Sequence, residues 1–153
     1  MVTTNKELVR RFFEELFTQG DQSCCEELAA ETYVEHAVAP FGRDAPGAVD
    51  GPSHLRNTSQ WLREQFPDVV MTIESMVEEG DLVAVRVHTQ GTNLGPLNGV
   101  IPPTGRRFTA HQSHWFRIAD DRLAEHWATR DDLPAMIQLG VIRPPGPPGS
   151  PPN

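Results

Sequence analysis

Val69 to Thr92 reads VVMTIESMVEEGDLVAVRVHTQGT, and its period of two decides the fold. Val69, Met71, Ile73 and Val77 alternate with Thr72, Glu74 and Glu78; Glu79-Gly80-Asp81 then turns the chain, and Val83, Val85 and Val87 alternate with Arg86, His88 and Gln90. Successive side chains of a strand point to opposite faces, so this is a hairpin with an apolar side, its second strand running from Leu82 to Thr92. Downstream, Asn93 to Gly105 holds Gly95, Pro96, Gly99, Pro102, Pro103 and Gly105 and must be a long connecting loop. Arg106 to Ile118 is a third strand, Ala119 to Asp121 a turn, and Arg122 to Asp131 a fourth strand. A closing helix follows: Asp132 can cap it, Pro134 suits its first turn, Leu133, Met136, Ile137 and Leu139 form its apolar stripe, and Gly140 stops it.

Upstream the period is helical. Thr4 and Glu7 form a capping box, after which Leu8, Phe12, Phe13, Leu16 and Phe17 recur at helical spacing as far as Gly20. Asp21 to Ala30 reads as a short second helix and Thr32 to Ala37 as a short strand or extended edge. Pro40 to Pro52 is a loop, read as a mobile lip, and Ser53 to Phe66 is a helix with Leu55, Trp61, Leu62 and Phe66 as its apolar positions. Helices followed by an antiparallel meander predict an α+β domain: a curved antiparallel sheet forming a cone-shaped barrel, with three to four helices covering one face. Such a cone holds a ligand. One domain is expected over residues 1–142. The remainder, RPPGPPGSPPN at 143–153, is expected to be a proline-rich disordered tail.

Composition narrows the function. With 13 Lys and Arg against 21 Asp and Glu, the formal net charge is −8, which argues against nucleic acid or an anionic membrane as partner. No window is long and apolar enough to span a bilayer and the amino terminus lacks a signal-peptide core, so a cytoplasmic protein is expected. Cys24 and Cys25 are adjacent and read as free, partly buried thiols. No metal site is expected from the six histidines, since no HxH or HExxH occurs and His111 and His114 fall on opposite strand faces. No GxSxG points to a nucleophile.

On the fourth strand Glu125, Trp127, Thr129 and Asp131 share one face, and His126, Ala128 and Arg130 the other. If the first face is the interior, Asp131 enters a dry cavity beside an indole, where burial would lift its pKa toward the range a general acid or base needs, while Asp132 caps the helix. The bland alternative is that either aspartate merely caps. Arg86 and His88 share a face that either neighbours this acid or is the solvent or dimer side, because Val83, Val85 and Val87 make an equally good core face. His111 with Thr109, Ser113 and Trp115 could line the pocket, or His114 with Phe116 and Ile118 instead. Trp61, Trp115 and Trp127 with Phe12, Phe13 and Phe66 could stack a flat polycyclic ligand or simply fill the core.

The pieces FPDVVMTIESMVEEGDLVAVRV (66–87), PPTGR (102–106), FRIADDRLAEHWATRDD (116–132) and LPAMIQLGV (133–141) resemble the SnoaL-like polyketide cyclases, also called ester cyclases, of the nuclear transport factor 2-like superfamily. The resemblance implies an intramolecular aldol reaction driven by a carboxylate as general acid and base, with no metal or organic cofactor and a hydrophobic small-molecule substrate. It places the family's aspartate, four residues after a tryptophan, on Asp131. Asp131 is the only catalytic residue the resemblance carries over; from the chain's own pattern Arg86, His88, His36 or His111 would orient the carbonyl. Relatives place a short Tyr/His strand where Tyr33 and His36 stand, at the pocket rim; where relatives carry His after Gly-Thr, this chain carries Asn93. A runner-up likeness is to the limonene epoxide hydrolases of the same fold, which set an Arg and two carboxylates around a water, although His88 stands where the second acid would follow Arg86. A third possibility is a non-catalytic hydrophobic ligand-binding module. A homodimer is expected, because the outer face of an open sheet carries apolar residues that need cover.

Overall fold

The computed structural model describes residues 3–38 and 47–149; most of the loop expected from Pro40, and the last four residues of the tail, lie outside the described residues. Helix α1 (Asn5–Arg11) starts at the expected capping box, Thr4 Oγ1 accepting from the Glu7 N–H at 3.2 Å and Glu7 accepting from the Thr4 N–H at 2.8 Å. It does not run on as a regular α-helix but widens into a π-helical segment, Phe12–Gln19, closed by Gly20 at φ 75°. The wider turn lets Phe12, Phe13, Leu16 and Phe17 all be buried. The second helix is shorter than its pattern predicts. A 3₁₀ turn (Gln22–Cys24) and one turn of α2 (Cys25–Leu28) give way at Ala29 to strand β1 (Ala29–Glu35). Helix α3 (Gly51–Gln65) begins two residues before the expected Ser53, because Asp50 caps it and forms a second capping box with Ser53. A Cβ on Gly51 would meet the Ala30 carbonyl oxygen at 1.9 Å, so this glycine lets α3 rest directly on β1.

The meander is as expected: β2 (Val70–Glu79), β3 (Leu82–Thr92), β4 (Arg107–Ala119) and β5 (Arg122–Arg130) pair antiparallel in sequence order, before the closing helix α4 (Asp132–Gln138). The β4–β5 turn holds Asp120 and Asp121 at φ 50° and 57°, the left-handed geometry of a tight hairpin. The order of the five strands is β1-β5-β4-β3-β2, and β1 joins β5 in parallel, so the sheet is mixed and open rather than wholly antiparallel and closed. Register slips between Ile73 and Ser75 and between Arg117 and Ile118 bend it. Val83, Val85 and Val87 face the core, meeting Phe116, Leu123 and the phenylalanines of the π-helical segment; Phe12 and Phe116 cross edge-on with ring centres 5.0 Å apart. Ser59 of α3 donates to the Leu16 carbonyl at 2.9 Å, tying the two helical layers together.

Cys24 and Cys25 are buried free thiols, and burial pushes Cys25 up to about 11. Asn93, fully buried, is a bolt rather than a proton carrier. Its amide donates to the Gly95 carbonyl (2.7 Å) and accepts from the N–H and hydroxyl of Thr104 (2.8 and 3.1 Å), clamping the two ends of the β3–β4 loop.

Candidate active site

Between the inner face of the sheet and the helices lies a cavity of about 210 Å³. Phe12, Phe13 and Phe17, Leu55 and Trp61 of α3, and Met136 of α4 form apolar walls. A polar strip crosses it, made by Glu35, His54, His126, His114, Gln112 and the pair Arg130 and Asp132.

Strand register decides which residues reach the strip. Residues directly opposite in an antiparallel pair share a face. Val87 lies opposite Gln112, Val85 opposite His114 and Val83 opposite Phe116; on the other side Gln112 meets Arg130, His114 meets Ala128 and Phe116 meets His126. The buried valines therefore carry Gln112, His114, His126 and Arg130 inward with them. The same pairing puts Arg86 with Ser113, His88 with His111, and Trp115 with Trp127 on the outer face.

This corrects most of the expected site. Asp131 is the exposed N-cap residue of α4, and Asp132 is the aspartate that lines the cavity, the reverse of the expected assignment. Arg86 and His88 face outward because their strand buries its valines. His111 lies outside, its Nδ1 2.9 Å from Glu74, with its ring 5.2 Å from that of His88. Trp115 is exposed, and Trp127 is half-buried beneath His36, the two rings stacked 4.8 Å apart; His36 in turn reaches Glu125 at 2.9 Å. Tyr33 stands behind the strip, donating to Glu35 at 2.9 Å. Of the residues singled out in the sequence as catalytic or binding, Trp61 lines the cavity, as do His114, offered as the alternative to His111, and Phe12, Phe13 and Phe66.

Glu35, His54, His126, Gln112, Arg130 and Asp132 were not singled out as site residues. For β4 a signal existed: Phe108, Ala110, Phe116 and Ile118 share one parity, and that parity carries Gln112 and His114 inward. For β5 the signal is inverted by the slip at Arg117/Ile118, where Leu123 and Ala124 are both buried before the alternation resumes.

The strip is tightly wired. Glu35 accepts from His126 Nδ1 at 2.8 and 2.9 Å, from the Ala37 N–H at 2.9 Å and from Tyr33, with His54 Nε2 at 3.5 Å. Burial opposes its ionisation, but the hydrogen bonds from His126 and His54 override burial and hold the carboxyl well below the usual range. His126 Nε2 lies 2.9 Å from His114 Nδ1, and His114 Nε2 lies 2.9 Å from Gln112 Oε1. Burial, helped by the charges of His126 and Arg130, pushes His114 well below the ordinary imidazole value. Burial and the neighbouring Glu35 likewise push the Tyr33 phenol well up. Arg130 forks onto Asp132, Nε to Oδ1 and Nη2 to Oδ2 both at 3.2 Å, and also donates to the Val38 carbonyl. Thr58 Oγ1, buried in the cavity wall, has no hydrogen-bond partner among the described residues. Among those residues no group of three or more His, Cys, Asp or Glu side chains is arranged to hold a metal ion.

The cavity thus sets two carboxylates, an arginine, three imidazoles and an amide inside apolar walls. Residues 7–139 match the model of the SnoaL-like polyketide cyclases, and the chain belongs to that family. It is 31% identical over 140 residues to the aklanonic acid methyl ester cyclase DnrD of Streptomyces peucetius, covering 91% of this chain and 92% of that one. It is 33% identical over 125 residues to the nogalonic acid methyl ester cyclase of Streptomyces nogalater, covering 81% and 89%. The solved structure of IdmH from Streptomyces antibioticus superposes with a TM-score of 0.72 at 33% identity, covering 89% of this chain and 98% of that one. The two curated relatives are named as methyl ester cyclases, and the IdmH structure shares the fold. No helix among the described residues is long and apolar enough to cross a membrane.

Proposed function

We propose that the protein closes a ring in a carbonyl-rich, polyketide-like substrate by a cofactor-independent aldol reaction, with Asp132 as the general acid and base. The observation that carries this reading is the contrast between the two carboxylates of the cavity. Glu35 is saturated by His126, Tyr33 and the Ala37 N–H, whereas among the described residues Asp132 is held by Arg130 alone, at the edge of the same space. Asp132 removes a proton α to a carbonyl, the resulting enolate attacks a second carbonyl, and Asp132 returns the proton to the new alkoxide. Arg130 and the Gln112 amide are the donors placed to stabilise the oxyanions. The unpartnered Thr58 hydroxyl offers a further contact to a bound oxygen. The first substrates to test are those named for the relatives, aklanonic and nogalonic acid methyl esters. Loss of ring closure in Asp132→Asn with an unchanged circular dichroism spectrum is the expected result; a fully active variant would remove the assignment.

A second reading rests on one observation: Arg130, Asp132 and Glu35 all line the cavity, the Arg-and-two-acids arrangement that suits activation of a water. Product formed in ¹⁸O-water decides between them, since a hydrolase adds a labelled hydroxyl group to the product and ring closure adds none. Pairing of two copies through the outer sheet face, where Trp115, Val77 and Leu82 are exposed, belongs to the same proposal. Light scattering that gives the mass of two chains supports it.

A further inference from the structure

The polar line from Glu35 to Gln112 plays no part in the proton transfer assigned to Asp132, and its hydrogen bonds can be satisfied in just two ways. The Glu35 carboxylate only accepts, so His126 Nδ1 carries a proton toward it. A neutral imidazole has one donor and one acceptor nitrogen, and burial keeps His114 neutral. In the first wiring Gln112 Oε1 faces His114 Nε2 at 2.9 Å and accepts from Thr89 Oγ1 at 3.1 Å. His114 then donates from Nε2 and accepts at Nδ1, which requires a second proton on His126 at Nε2, making it an imidazolium against Glu35. In the second wiring His126 is neutral and its Nε2 accepts from His114 Nδ1. His114 Nε2 then has only a lone pair to offer, and Gln112 must turn its amide over to donate to it, with Thr89 becoming the acceptor. The wirings differ by one proton and by which amide atom Gln112 presents to the cavity it lines. In the first wiring no described residue accepts from the Gln112 amide nitrogen, and that N–H is free to meet a ligand in the cavity that Gln112 lines.

We propose that Gln112 is a proton-gated positioning residue: when His126 is protonated the amide turns its NH₂ into the cavity and donates to a substrate oxygen, and when His126 is neutral it turns its carbonyl there instead. The substrate's identity rests on the cyclase reading; the coupling of amide to proton does not. Among the described residues, strand β1 supplies Glu35 and, behind it, Tyr33; α3 supplies His54; β4 supplies His114 and the Phe116 ring; the π-helical segment supplies the Phe12 ring, 5.8 Å away. On its own strand Arg130 is offset by Asp132 at the start of α4. An imidazolium at His126 therefore has a carboxylate in direct contact, and an oxyanion forming near Gln112 meets a donor when that charge is present.

The test is nitrogen-15 NMR of the histidine rings and glutamine side-chain amides in the full chain across pH. As pH rises, His126 should lose its Nε2 proton, His114 should change from the Nε2–H to the Nδ1–H tautomer without becoming cationic, and the Gln112 amide signals should move, all with one midpoint. Gln112 signals that stay still through the His126 titration overturn the proposal. So does a charge taken up by His114, or a His126 that keeps one charge state from about pH 5 to about pH 9. In Gln112→Glu, a side chain that accepts but does not donate should hold the chain in the first wiring, with the His114 Nε2–H tautomer persisting to higher pH than in the wild type; an unchanged His114 tautomer profile overturns the proposal. Asp132→Asn should abolish turnover yet leave the three coupled signals intact, which separates failure of the gate from failure of the cyclase assignment.

Discussion

The two faces of β3, β4 and β5 both carry histidines and arginines paired with carboxylates, and do different things with them. On the outer face His88, His111 and Glu74, and His36 with Trp127, Glu125 and Arg117, form pairs at ordinary distances. On the inner face His114, His126, Gln112 and Arg130 do the same with Glu35 and Asp132. The difference is enclosure: the His111 side chain is 52% exposed, while His114 as a residue is 5% exposed. Water satisfies whatever the outer groups leave undone, and an exposed pair there contributes under about 1 kcal/mol. Inside, each nitrogen and oxygen must find a partner in the protein or the ligand, so protonation states become correlated and a substrate meets fixed dipoles instead of solvent.

Exchanging single residues between the faces should break this contrast if it is wrong. The largest effect is expected at the two adjacent aspartates, where Asp132→Asn should lower the ring-closure rate by about 10³-fold and Asp131→Asn by less than about threefold; the opposite order in steady-state assays would move the site to the other face. Glu35→Gln should cost about 3 kcal/mol in urea unfolding near neutral pH, since His126 loses its counter-charge. It should also change the pH response. The folded carboxyl titrates below its ordinary 4.5, so its contribution is complete above about pH 4.5 and fades as pH falls; the Glu35→Gln stability curve should be flatter in that range than the wild-type curve. His114, depressed below its ordinary 6.5, works in the same sense: the unfolded imidazole gains a proton as pH drops below about 6.5 that the folded one does not, and His114→Phe should remove that part of the acid sensitivity. Thr58→Val, which removes the unpartnered hydroxyl at nearly constant volume, should raise KM about tenfold with kcat little changed. Smallest of all, Arg86→Ala and His88→Ala should leave stability within about 0.5 kcal/mol and activity within about twofold.

The element order, the meander, the tight turns and the first capping box could be read from the chain because local chemistry determines them: Thr4 with Glu7, Gly80, and the pair Asp120 and Asp121. The inner face of β5 could not. Counting by twos from Leu123 leads to Glu125, Trp127, Thr129 and Asp131, yet the slip against Arg117 and Ile118 buries Ala124 as well and hands the interior to His126 and Arg130. One residue of register therefore separates the expected site from the observed one. On β4 no slip intervenes between Phe108 and Phe116, and the phenylalanines alone would have directed Gln112 and His114 inward. Glu35 and His54 were hidden for another reason. Their importance comes from β1 lying beside β5, a long-range parallel pairing with no local signature.

That pairing also imposes an order of events on the folding chain. Glu35 and His126 are 91 residues apart along the chain, and nothing between them can substitute for either. Local hairpins such as β2–β3 close over short spans and can form early, whereas β1 must wait for the last strand before it gains a neighbour. During synthesis the first three helices and the first hairpin would emerge with an incomplete cavity whose Glu35 carboxylate has yet to meet its imidazole. The polar strip is therefore completed last, by β5 and the start of α4, and a chain halted before His126 would hold Glu35, Gln112 and His114 with the link between them missing.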